Sequence, residues 1–90
     1  MGDLSTLLNI GAQLEAQLAE VGIHTAQQLQ QTGSREAWVR ILARDPSACL
    51  MRLCALEGAI QGVRWFYLSA ETKASLRDFY QQHKPSTVAG

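Results

Sequence analysis

The sequence predicts an all-α fold, a compact five-helix domain with no strand. Three observations carry that prediction. Across residues 8–33 apolar side chains recur at three- and four-residue spacing, interrupted by one glycine turn. Helix-start signals at Thr25, Ser34, Asp45-Pro46 and Ser69 divide the chain at helix-length intervals. Residues 50–60 are apolar on nearly the whole circumference, which is the pattern of a helix at the centre of its domain. A chain of 90 residues supports a single core. Its 47% hydrophobic and 18% charged content is globular rather than disordered. The expected domain is residues 4–83, followed by a disordered tail at 84–90.

The first helix is expected over residues 11–21, with a helical turn before it at 5–8. Ile10, Leu14, Leu18 and Val21 give it one apolar face. Gly22 supplies the permissive backbone that ends it, and Ile23 folds back onto it. Thr25 caps the second helix, residues 25–32, which carries Leu29 inward and stops at Gly33. These two make a helix-hairpin-helix-like N-terminal half. The third helix, 34–44, is expected to be capped by Ser34. It sets Trp38, Ile41 and Leu42 on one face, and a Glu36–Arg40 pair on the other. The fourth opens at Asp45-Pro46, where aspartate caps and proline loses no hydrogen bond, and continues to about Gly62. The fifth follows the Ser69 cap through Leu76, Phe79 and Tyr80 to His83, and Lys84-Pro85 stops it.

The central apolar fourth helix holds the most informative side chains. Leu50, Leu53, Cys54, Leu56 and Ile60 cover one arc, and Met51, Ala55, Gly58 and Gly62 cover another, leaving chiefly Arg52 for solvent. A glycine inside a helix costs up to ~1 kcal/mol relative to alanine. Gly58 and Gly62 therefore predict the close approach of another backbone, from the same chain or from a second copy in a homodimer. Glu57 lies by rotation between Leu53 and Cys54. A carboxylate there must be paired, hydrogen-bonded or protonated, and it is expected to be mostly buried and to accept from backbone N–H groups or from Arg64. Trp65 is expected to plug the place where the following loop crosses the core.

The net charge is zero, but its distribution is uneven. Residues 1–33 hold Asp3, Glu15 and Glu20 and no lysine or arginine, and all eight basic residues fall between Arg35 and Lys84. The candidate phosphate contact is Asn9-Ile10-Gly11, a glycine-led helix start that exposes N–H groups to an anion. Asn9 tolerates left-handed geometry. Ala12 and Gln13 stand where a basic residue would strengthen the grip, so the isolated domain is expected to bind nucleic acid weakly or not at all. Lys73, Arg77 and Lys84 form a weak basic stripe that reads as a solvated face.

No catalytic, cofactor or metal site is expected. Cys49 and Cys54 point ~140° apart on a helix, cannot bridge within it, and read as small buried thiols. His24 and His83 lie outside ligand spacings, and no phosphate loop or nucleophile elbow occurs. No apolar run approaches the roughly 20 residues needed to cross a bilayer, and no secretory signal is visible. A cytoplasmic protein without membrane contact is expected.

Three segments together resemble the C-terminal domain of the TfoX/Sxy family of bacterial competence regulators. They are Asn9-Ile10-Gly11; then Val21-Gly22-Ile23-His24-Thr25 with Leu29 and Gly33; then Ala55-Leu56-Glu57-Gly58-Ala59-Ile60-Gln61-Gly62 with Trp65. The likeness spans about residues 4–80, and its most particular part is the last segment. It implies an all-helical domain and a part in switching on genes for DNA uptake. Gly11, Gly22, Glu57, Gly58, Gly62 and Trp65 match the family's pattern and read physically as architecture. Members of that family typically carry an α/β domain ahead of the helical one. This sequence starts almost directly at the helical part, as an excised domain or a stand-alone relative does. The function expected is a non-enzymatic regulatory module whose partner is a protein, either the transcription machinery or a second copy. The alternative is a helix-hairpin-helix domain that grips nucleic acid nonspecifically at Gly11.

Overall fold

The computed structural model describes residue 4 and residues 7–83. Five α-helices follow one another, α1 (Ala12–Glu20), α2 (Ala26–Thr32), α3 (Ser34–Arg44), α4 (Leu50–Gln61) and α5 (Ala70–His83), with a 3-10 turn at Trp65–Tyr67. Among the described residues there is no strand. The expected helical turn at 5–8 and the expected tail at 84–90 fall wholly or partly outside the described residues.

The helix ends are set by the glycines. At the end of α1, Gly22 takes a φ of +88°, the Gly22 N–H donates to the Ala19 carbonyl at 3.1 Å and the Ile23 N–H to the Leu18 carbonyl at 2.9 Å. This is a Schellman closure, and its hydrophobic pair, Ile23 and Leu18, is fully buried. The same closure ends α4. Gly62 has φ +77°, and the Val63 N–H reaches the Gly58 carbonyl at 2.9 Å. Gly62 thus lies just beyond the helix rather than on its packing arc, and a side chain there would meet open space.

Two expected caps are corrected. Gly33, not Ser34, is the N-cap of α3, with φ +88° and ψ 155°, a conformation that only glycine holds without strain. Ser34 is already helical and buried. Asp45 does not cap α4, and Pro46 does not begin it. The Asp45 Oδ1 accepts from the Ser47 N–H at 3.0 Å and from its hydroxyl at 2.6 Å, while the Ala48 N–H closes a turn onto the Asp45 carbonyl at 3.0 Å. A carboxylate occupied two residues on holds the chain in a turn, so α4 starts at Leu50 with Cys49 before it.

As expected, α4 is the centre of the molecule. It packs against α3, α5, α2 and the 3-10 turn. Leu53 and Leu56 are fully buried, and Cys54, Ala55, Gly58 and Ala59 are buried with them. From α3, Trp38 enters the core completely and its Nε1–H donates to the Cys49 carbonyl at 3.1 Å. A buried indole needs that acceptor, and the bond ties α3 to the start of α4. Phe79 and Tyr80 of α5 meet the Trp38 ring edge-on, at 6.1 and 5.7 Å. Two positions on α4 differ from expectation: Met51 is exposed, and Arg52 is half-buried against Asp45.

Candidate functional site

Three of the residues singled out by sequence, Asn9, Gly58 and Trp65, meet at one junction. Asn9 has φ 72°, the left-handed turn expected of it. Its side-chain Nδ2 donates to the Val63 carbonyl at 2.9 Å, and its Oδ1 accepts from the Trp65 N–H at 3.1 Å. One side chain therefore fastens the approach to α1 onto the chain leaving α4. Gly58 makes room for it. A Cβ on Gly58 would stand 2.6 Å from Asn9 Nδ2, 2.7 Å from the Val63 oxygen and 3.2 Å from the Trp65 Cα. The backbone that approaches Gly58 belongs to the same chain.

Gly11 is the N-cap of α1 and is exposed, with no side chain filling the cap. Glu15 lies in the first turn of that helix, where its carboxylate opposes a second anion. The Asn9 amide is bonded through both its nitrogen and its oxygen, and residues 1–33 hold no lysine or arginine, so an anion at this turn would meet no cation from this segment.

Glu57 is half-buried rather than mostly buried. Its Oε1 accepts from the Ser34 hydroxyl and its Oε2 from Gln61 Nε2, each at 2.6 Å. Among the described residues neither backbone N–H groups nor Arg64 serve it, in correction of the expectation. The start of α3 lies across from this part of α4, and the hydroxyl that was to cap α3 supplies the bond instead.

Asp45 is a hub that sequence spacing did not reveal. Besides Ser47, it accepts from Gln17 Nε2 of α1 at 2.9 Å and from Arg52 Nη1 of α4 at 3.0 Å. The Ser47 hydroxyl first, then Arg52, hold its carboxyl well below the usual carboxylate range.

A shallow groove opens on the other side of α4. Leu50, Met51, Cys54 and Trp65 line its floor and Lys73 and Arg77 its rim, enclosing about 250 Å³. Burial pushes the Cys54 thiol up, against the opposing pull of Lys73 and Arg77. Met51 in its lining is 55% exposed, and Phe66 and Tyr67, which follow the lining residue Trp65, are 50% and 74% exposed. These are three of the four large exposed hydrophobics among the described residues, with Leu8 the fourth. The aromatic turn is held in place, since Lys73 Nζ donates to the Phe66 carbonyl at 2.9 Å. Trp65 itself is half-buried and packs on the core. The run of three aromatics was visible in sequence, but which of them would face outward was not. A second hollow, about 390 Å³, is lined by Leu4, Ala12, Glu15, Ala16, Ala19 and His24.

The remaining candidates are scattered. Cys49 is exposed and Cys54 buried, so only one of the two thiols is the buried kind expected. His83 stacks on Phe79 with centroids 4.0 Å apart, while His24 is exposed in the turn before α2. Among the described residues no group of three or more histidines, cysteines or carboxylates is placed to hold a metal ion. No described helix is long and apolar enough to cross a membrane.

A family model described as the TfoX C-terminal domain matches residues 1–80. Two solved structures are close in both sequence and shape. One is an uncharacterized protein from Listeria monocytogenes in a triclinic crystal form, 47% identical, with a TM-score of 0.87 over 88% of this chain and 90% of that one. The other is a protein of unknown function from Listeria monocytogenes in a tetragonal form. It is also 47% identical, with a TM-score of 0.86 over 88% of this chain and 98% of that one. No curated relative matches the chain.

Proposed function

We propose that this chain, which belongs to the TfoX C-terminal domain family, is a non-enzymatic regulatory module that works by contacting another protein. The observation that carries the reading is the apolar surface of Met51, Phe66 and Tyr67, displayed beside a cation-rimmed groove on a fastened 3-10 turn. Large apolar side chains exposed at and beside a groove are what protein partners cover. Family membership suggests that the regulated output is competence-related, namely genes for DNA uptake, with the transcription machinery or a second copy as the partner in the cytoplasm. A nucleic-acid grip at Gly11 is the weaker reading, because Glu15 occupies the first turn there and phosphate binding draws chiefly on lysine and arginine.

Deletion of the gene in its native host, followed by measurement of transcripts of the DNA-uptake genes, tests the regulatory role. Reduced transcripts that recover on complementation with the full chain are the expected result. Unchanged transcripts under competence-inducing conditions count against it.

A further inference from the structure

The groove between α4, the 3-10 turn and α5 has a chemistry that selects its occupant. Its floor is four apolar side chains, its rim is two cations, and no carboxylate lines it. At about 250 Å³ it lies below the ~300–1,000 Å³ usual for small-molecule sites. Its apolar floor can instead receive an anchoring side chain from a protein partner. Lys73 spends one of its three N–H donors on the Phe66 carbonyl. Arg77, one helical turn further along α5 and exposed, makes no hydrogen bond or ion pair among the described residues. Both cations can therefore take a carboxylate.

Single-stranded nucleic acid would bring phosphates to the same rim and bases to the aromatics. The ring geometry disfavours it. Trp65 and Phe66 meet at 82° and Phe66 and Tyr67 at 56°, so the three rings offer no parallel series of faces for successive bases. The zero net charge gives no general attraction to a polyanion.

We propose that this groove is the docking site for an acidic amphipathic segment of a partner protein. One or two apolar side chains of that segment enter between Met51, Cys54 and Trp65, and its carboxylates pair with Lys73 and Arg77. Phe66 and Tyr67 extend the apolar contact beyond the groove. The proposal rests on the reading of the chain as a protein-interaction module, and it adds the surface and the chemistry of the partner.

The probe is a synthetic helical peptide with leucines at i, i+3, i+4 and i+7 flanked by glutamates. Its controls are one peptide with lysines for the glutamates, one with serines for the leucines, and a thymidine oligonucleotide. Each is titrated into the isotope-labelled full chain and followed by NMR. The acidic peptide is expected to shift the resonances of Met51, Trp65, Lys73 and Arg77, and both altered peptides are expected to bind about tenfold more weakly or worse. Arg77→Glu and Met51→Ser change exposed side chains, so they keep the fold while weakening the acidic peptide by a similar factor. Arg77→Glu should at the same time improve the lysine peptide.

Failure of the acidic peptide to bind, equal binding of the acidic and basic peptides, shifts confined to other faces, or preference for the oligonucleotide at the groove each overturn the proposal. The regulatory reading fails separately. If deletion lowers the transcripts and the Arg77→Glu chain restores them in full, the regulatory reading stands and the groove is not its surface. If the peptide binds as expected but deletion changes no transcript, the groove binds protein and the regulatory reading is wrong.

Discussion

Asn9 and Gly58 show how two small residues hold the molecule together at positions 49 apart in sequence. Asn9 supplies a left-handed turn and two hydrogen bonds to main chain at Val63 and Trp65. Gly58 supplies the absence of a side chain that lets those atoms come near. Gly58→Ala is expected to destabilise by ~1–3 kcal/mol, because two of the three obstructing groups are backbone atoms that cannot swing away. Asn9→Gly keeps the φ but strands the Val63 carbonyl and the Trp65 N–H, at ~1–3 kcal/mol for each group left unpaired. Asn9→Ala adds the left-handed penalty of about 1 kcal/mol. Urea unfolding of the three variants checks the order Asn9→Gly milder than Asn9→Ala. The reverse order would mean that the left-handed backbone at Asn9 carries no penalty for alanine, and an Asn9→Gly chain as stable as the wild type would mean that the two bonds contribute nothing. Glu57 makes a smaller test. Glu57→Gln retains an acceptor for the buried Ser34 hydroxyl, whereas Glu57→Leu strands it at ~1–3 kcal/mol. Equal melting temperatures for the two variants would show that the Ser34 bond contributes nothing.

At the scale of elements, what was legible in the sequence was whatever is decided locally. The bounds of α3, the end of α1 at Gly22 and the Ser69 cap of α5, whose hydroxyl accepts from the Thr72 N–H at 3.1 Å, follow from residues within one turn of each boundary. The start of α4 differs from expectation because Asp45 closes a local turn onto Ser47, and distant partners then hold that turn in place. Asp45-Pro46 is a sound helix opening by itself, but Gln17 from α1, Arg52 from α4 and the Trp38 indole on the Cys49 carbonyl fix residues 45–49 as a turn. The Ser34 partner of Glu57 and both partners of Asn9 are illegible because they come from other elements, whereas Gln61 lies one turn along α4 from Glu57. Met51 was placed by rotation on a packing arc, and it is exposed because α5 and the 3-10 turn leave a groove there. The Asp45 hub also yields a pH dependence. Its carboxyl is held below its ordinary range in the folded state, so ionisation of Asp45 stabilises the fold above the unfolded value of about 3.9 and that stabilisation is lost as pH falls below it. Asp45→Asn is expected to melt below the wild type at about pH 7, with the gap narrowing below about pH 4. Thermal melts across that range check it, and a gap that widens in acid would reverse the sign.

Over the whole molecule the two halves carry different charge and present different surfaces. The N-terminal helices bring Glu15 and Glu20 and no cation of their own, and Glu20 draws Arg44 across from α3 at 3.5 Å. The groove at the far side of α4 gathers Lys73 and Arg77 around apolar side chains. A surface arranged in this way favours an acidic, partly apolar protein segment over a uniformly charged polyanion. Duplex DNA needs a row of cations to displace its counterions, and nonspecific binders that have one reach only ~10⁻⁴–10⁻⁶ M at physiological salt. Here the net charge is zero. Arg40 is paired with Glu36, Arg44 with Glu20 and Arg52 with Asp45, and the glycine-led start of α1 is backed by a carboxylate. The isolated chain is therefore expected to bind duplex DNA no more tightly than that range, with a shallow dependence on salt. Fluorescence anisotropy with a labelled duplex at two salt concentrations measures both quantities. Sub-micromolar binding with a steep salt slope would show that the cations act together on phosphate, and would move the nucleic-acid reading ahead of the protein partner. If Gly11→Pro then abolished that binding while the fold persisted, the start of α1 would be the place where the phosphate sits.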